Sequence, residues 1–291
     1  MPSVLIVEIN PIGLGTIEPI RSLYLSWNGI SFMFIEILSD MFLFYHYNYC
    51  MFFQKDDLSK FDFISTKEFF LALFLMIVTT IFSYLGLPVT LKKTLPAYTS
   101  FFNSYYFAIF LFFLSAILSF YIMYYFCSWK KQKTLKEGLF FYPKSRKTYF
   151  TCILIGVIMP LITLPIIFHF APKEFYAMNL TKTKGGLVYL FTCALVAPLF
   201  EEIFYRGFIF AFFQSKINSY WAIIITGIFF ALSHFMNIGN AHILLSLFTL
   251  YGFVLTLIRY FTNSLIPPMI THFVHNATLI VSFLVMSKIS S

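Results

Sequence analysis

Charge is what this sequence has least of. Of its 291 residues, 11% are Asp, Glu, Lys or Arg, under half the roughly 25% of a soluble globular domain. Hydrophobic residues make up 59% and aromatic residues 22%. A water-soluble fold cannot hide that much apolar surface, so the expected solvent is lipid. The chain also lacks segments of about ten residues with alternating polarity, the pattern of a membrane barrel strand. Its apolar runs instead go unbroken, as over 69–84 and 105–126. Only helices and closed barrels satisfy their backbone groups in lipid, so the fold class reads as all-α, a polytopic bundle of membrane helices. Cysteine is scarce too. Cys50, Cys127, Cys152 and Cys193 form no CxxC pair, which implies no disulfide or zinc framework and leaves them as small core residues. There is no internal repeat and no low-complexity tract. The N-terminus has no basic stretch, carries Glu8, and places Pro11, Gly13 and Gly15 where a signal peptide needs an apolar core, so no cleavable signal is expected.

Crossing a bilayer takes about 20 apolar residues. Seven stretches meet that test: 68–90, 105–127, 149–170, 186–213, 219–236, 241–260 and 265–287. The stretch 30–53 is aromatic-rich but contains Glu36, Asp40 and His46; it reads as an eighth span, a re-entrant segment or an interfacial helix. The expected organisation is therefore an N-terminal segment over 1–60 and a membrane-embedded helical domain over 61–291, with seven or eight spans in all. The formal net charge is +8, which in a soluble protein would suggest nucleic acid. Here the cations sit between spans. The segment 128–148 holds Lys130, Lys131, Lys133, Lys136, Lys144, Arg146 and Lys147 against Glu137 alone, the signature of a cytoplasmic loop. The expectation is a multi-pass integral membrane protein, in the inner membrane if the source is bacterial, with lipids as partners and no nucleic acid.

Ionisable groups at membrane depth are costly, and a functional site is the first reading for them. Three sets fall in the last four spans: Glu201, Glu202 and Arg206; His234; and His272, His275 and Asn276. Glu202 and Arg206 are an i,i+4 pair on one helix face and can neutralise each other. Glu201 lies about 100° round the helix, without that cation. A carboxylate left alone in an apolar setting holds a proton more tightly, which suits a base near neutrality. Pro198, just upstream, removes a backbone donor and can kink the helix beside Glu201. His272 and Asn276 are again i,i+4 and project together, as two donors to one oxyanion would. The bland readings are an ion network that fixes packing, a His234 that bonds a backbone carbonyl, and a His275 that joins helices. A transporter or proton relay would also use buried acids and histidines. A zinc site built from Glu201, His234 and His272 is a further alternative, though no HExxH pair is present and no cysteine joins the set.

Taken in order, EExxxR at Glu201–Arg206, FxxxH at Phe230–His234 and HxxxN at His272–Asn276 resemble the signatures of the CAAX prenyl protease type 2 family, also called the CPBP or Abi family of intramembrane proteases. The resemblance covers roughly 186–287. It implies a glutamate-dependent endopeptidase with its site in the membrane and no metal or other cofactor. By that analogy Glu201 and His234 activate a water, His272 and Asn276 stabilise the oxyanion, and Glu202 with Arg206 supports the catalytic helix. The implied partner is a peptide or protein substrate, prenylated in eukaryotic members. Many prokaryotic members lack such a substrate and are tied to bacteriocin processing or immunity. A non-catalytic membrane binding or bacteriocin-immunity protein is therefore the alternative function.

Overall fold

The computed structural model describes residues 63–170, 180, 183–235 and 242–289. The expectations for segment 1–60, including the extra span over 30–53, lie outside the described residues, as does Cys50. All seven apolar stretches beyond that segment are helical over most of their described residues, and no strand occurs among the described residues. The helices are α1 (Thr66–Thr94), α2 (Tyr105–Trp129), α3 (Arg146–Phe170), α4 (Lys184–Lys216), α5 (Ser219–Ser233), α6 (His242–Thr262) and α7 (Ile266–Ile289). Six of them, all but α5, are long and apolar enough to cross a membrane. The protein is an integral, multi-pass membrane protein. Large side chains such as Phe74 and Val89, 61% and 67% exposed, would be a liability in water and are ordinary against lipid.

Helix α5 departs from the sequence expectation of a full span over 219–236. Its 15 residues cover about 22 Å at 1.5 Å per residue, short of the roughly 30 Å hydrocarbon core. The cause lies in its last turn. The carbonyl of Phe230 accepts the Ser233 hydroxyl at 2.7 Å and the Nδ1–H of His234 at 2.8 Å. These side chains take the place of the next backbone N–H, and the helix stops with His234 as its cap. The N-terminus of α5 is set by Asn218, whose side chain accepts the N–H of Trp221.

Helix α4 is bent in register by two π-helical turns, Thr192–Val196 and Ile203–Ile209. The first lies just before Pro198, which cannot donate to the carbonyl four residues back. Between the two turns, the short α-helical stretch Ala197–Glu202 carries both glutamates. Aromatic packing fixes one end of α4: Phe69 of α1 stacks on Phe212 at 3.7 Å and on Phe208 at 5.0 Å. Two close crossings fix the rest. On α3, a Cβ at Gly156 would lie 2.8 Å from the Thr271 carbonyl of α7, and the Thr271 hydroxyl donates to the Cys152 carbonyl of α3 at 3.2 Å. On α6, a Cβ at Gly252 would lie 2.9 Å from the Gly227 carbonyl of α5. Because that obstacle is backbone, it cannot swing aside. Gly252→Ala should therefore force α5 and α6 apart and cost about 1–3 kcal/mol, read as a lower Tm in detergent; an unchanged Tm would contradict the close crossing.

Candidate active site

Arg206 has one of the largest fully buried side chains among the described residues. Its side chain and that of Glu202 are both 0% exposed. The guanidinium Nη1 donates to Glu202 Oε1 at 2.9 Å, Nη2 to the Gly252 carbonyl at 3.0 Å, and Nε to the Thr256 hydroxyl at 3.3 Å. Its carbon centre also lies 4.7 Å above the Phe230 ring, a favourable place for a cation. The i,i+4 pair expected on α4 is thus present, and it is anchored to α6 and α5. Thr256 itself donates to the Gly252 carbonyl at 2.7 Å. Gly252 and Thr256 belong to none of the three motifs. The available signal for them was a threonine one turn from a glycine in an otherwise apolar run.

His272 joins the same carboxylate. Its Nδ1 lies 2.8 Å from Glu202 Oε1, so one oxygen of Glu202 serves both Arg206 and His272. With Glu202 ionised against Arg206, Nδ1–H is the donor and Nε2 is left to face elsewhere. It faces Glu201, whose Oε2 is 3.8 Å away. That gap is longer than a hydrogen bond, and it suits a shared small molecule. The two glutamates differ sharply in setting. Glu202 is sealed, whereas Glu201 is 29% exposed and borders an open groove. The adjacent positions therefore give one structural carboxylate and one accessible one.

The other motif residues are held by neighbours of their own. His234 stacks on Phe248 at 4.6 Å and on Phe230 at 4.7 Å. Its Nδ1–H is committed to the Phe230 carbonyl, which leaves Nε2 as an acceptor. The bland expectation, a histidine bonded to a backbone carbonyl, holds for one nitrogen and leaves the other available. Phe230 is the hub of the FxxxH motif: its ring touches His234, Arg206 and, edge-on at 5.8 Å, His272. Asn276 is oriented by its neighbour. His275 Nδ1 lies 3.1 Å from Asn276 Oδ1; with the oxygen as acceptor, the amide NH2 of Asn276 is free to donate. His275 is in turn held by Tyr251, the two rings stacking at 4.0 Å. The structure thus pairs His272 with the glutamates and Asn276 with His275. Among the described residues no three His, Cys, Asp or Glu side chains gather into a group able to hold a metal ion.

Removal of Arg206 would leave Glu202 as a buried, unpaired charge. Arg206→Met should cost about 3–5 kcal/mol, and the Glu202→Met/Arg206→Met double variant should recover part of that loss. Thermal unfolding in detergent measures both. A double variant no better than the single would show that the two charges are not energetically coupled.

Comparison with known proteins falls on these same helices. Residues 183–278 match the family model described as Type II CAAX prenyl endopeptidase Rce1-like. No curated protein and no solved structure matches the chain. The matched segment runs from the start of α4 to the middle of α7 and contains all three motifs, so the resemblance read from them holds over this part of the chain. The similarity to that family thus lies in residues 183–278, the part of the chain that carries the three motifs.

Proposed function

We propose that the protein is an intramembrane endopeptidase that hydrolyses a peptide bond near a membrane-embedded or lipid-associated segment. The observation that carries the reading is the unequal pair on α4. Glu202 is neutralised by Arg206 and bonded to His272, while Glu201 stands beside His272 Nε2 and borders the groove. In the reaction, Glu201 takes a proton from a water held near Oε2, and the resulting hydroxide attacks the scissile carbonyl. The free Nε2 of His234 is a second acceptor for that water. The carbonyl oxygen becomes an oxyanion, to which the Asn276 amide NH2 donates. His272, whose Nε2 lies beside Glu201 Oε2, is the second group assigned to that oxyanion. Collapse of the tetrahedral species breaks the C–N bond, and the proton on Glu201 passes to the leaving amine. Glu202 and Arg206 touch no substrate in this scheme. They set the tautomer and angle of His272, as the carboxylate partner of a catalytic histidine does.

The low-dielectric setting favours such a division. A charge aimed at the reacting atoms is worth more where water is excluded. The fold supplies that charge with a sealed Glu202–Arg206 pair behind it.

The decisive assay uses a fluorogenic apolar peptide, with and without a farnesylated CAAX end. It is run on detergent-purified protein, with and without a metal chelator. Glu201→Gln should lower the rate by about 10²–10⁴-fold at unchanged fold, and Asn276→Ala by about 10²–10³-fold. The chelator should leave the wild-type rate intact. Full activity in Glu201→Gln would sink the mechanism, and loss of activity with chelator would move it to a metal. Dependence on the farnesyl group would set the substrate class.

A further inference from the structure

Glu201 opens onto a groove of about 560 Å³ between α1, α2 and α4. Most of its lining is apolar, including Met76, Ile77 and Phe204. Set into that lining is a short line of hydroxyls: Thr80 on α1, and Ser115 and Ser119 one turn apart on α2. Thr80 and Ser115 bond each other at 3.2 Å, joining the two helices. Ser119 has no hydrogen bond among the described residues, whereas Thr79 and Ser83, which lie on α1 outside the groove lining, bond back to carbonyls of their own helix. A hydroxyl at lipid depth is costly unless paired. An acyl chain filling the groove would leave Ser119 and Glu201 facing hydrocarbon. A peptide main chain, with an N–H and a C=O at every residue, would satisfy both the hydroxyls and its own polar groups, which in lipid have nowhere else to turn once the segment is unwound.

We infer that this groove receives the substrate as an extended apolar peptide, with Thr80, Ser115 and Ser119 bonding its main chain while its side chains enter the apolar lining. This rests on the endopeptidase reading above and adds to it where the peptide lies and what it must be: locally unwound, uncharged over the bound stretch, and held through its backbone. The hydroxyls are positioning residues. They touch the substrate away from the scissile bond and bring that bond to Glu201.

Binding is tested without cleavage in the Glu201→Gln variant. A photo-crosslinking amino acid is placed at Ile77, in the groove, or at Phe74, on the lipid face of α1. The probe is a biotinylated apolar decapeptide. Ile77 should label and Phe74 should not, and an excess of unlabelled peptide should compete. Changing Thr80 to Val and Ser119 to Ala together should weaken labelling about three- to tenfold. A probe N-methylated over its central residues should bind weakly and show no further loss in that variant. Equal labelling at both positions would overturn the inference. So would labelling that oleate displaces better than peptide, or labelling untouched by loss of the hydroxyls. In the background with Glu201 restored, labelled peptide that stays uncut would instead count against the endopeptidase reading and leave the groove standing.

Discussion

One carboxylate oxygen holds the site together. Oε1 of Glu202 accepts from Arg206 on its own helix and from His272 on α7, and Arg206 extends the link to the Gly252 carbonyl and Thr256 hydroxyl of α6. Three helices meet at a point with no access to solvent. In lipid, helices gain little from apolar association alone, because the tails are as apolar as leucine. Polar contacts and close backbone approach must then define the arrangement. The Glu202 node supplies the first, and the Gly252–Gly227 and Gly156–Thr271 crossings supply the second.

The node also sets two identical side chains apart. A single arginine, fully buried and triply bonded, serves one glutamate. The other turns toward the groove and toward the unbonded nitrogen of His272. The surrounding aromatic rings hold the nitrogen atoms in place: Phe230 between Arg206, His234 and His272, and Tyr251 against His275. Those rings bring no hydrogen-bonding competitor of their own to the site except the Tyr251 hydroxyl, which is buried without a partner among the described residues.

Much of this was legible from the residues. The seven apolar stretches predicted the seven helices because backbone satisfaction in lipid allows little else. The Glu202–Arg206 pair followed from i,i+4 geometry, which is local. Other features needed the tertiary structure. Periodicity placed His272 beside Asn276 on one face of α7, but it could not say that a carboxylate 70 residues away would claim the His272 Nδ1. It also could not say that His275 would orient the Asn276 amide. The full span expected over 219–236 missed that His234 caps its own helix. A histidine near a helix end can extend the apolar run or satisfy its last carbonyls, and composition alone does not distinguish the two. The π-helical turns in α4 are equally silent in a pattern counted at 100° per residue, although Pro198 marks the place of one.

The most direct test of the unequal glutamates is to compare thermal stability in detergent for Glu201→Gln and Glu202→Gln. Glu201→Gln should unfold within a degree or so of the wild type, since the side chain borders a groove and pairs with no arginine or lysine. Glu202→Gln should unfold at a clearly lower temperature, because Arg206 is left buried without its counter-charge. Equal losses in the two variants, or a larger loss for Glu201→Gln, would contradict the division of roles on which the site depends.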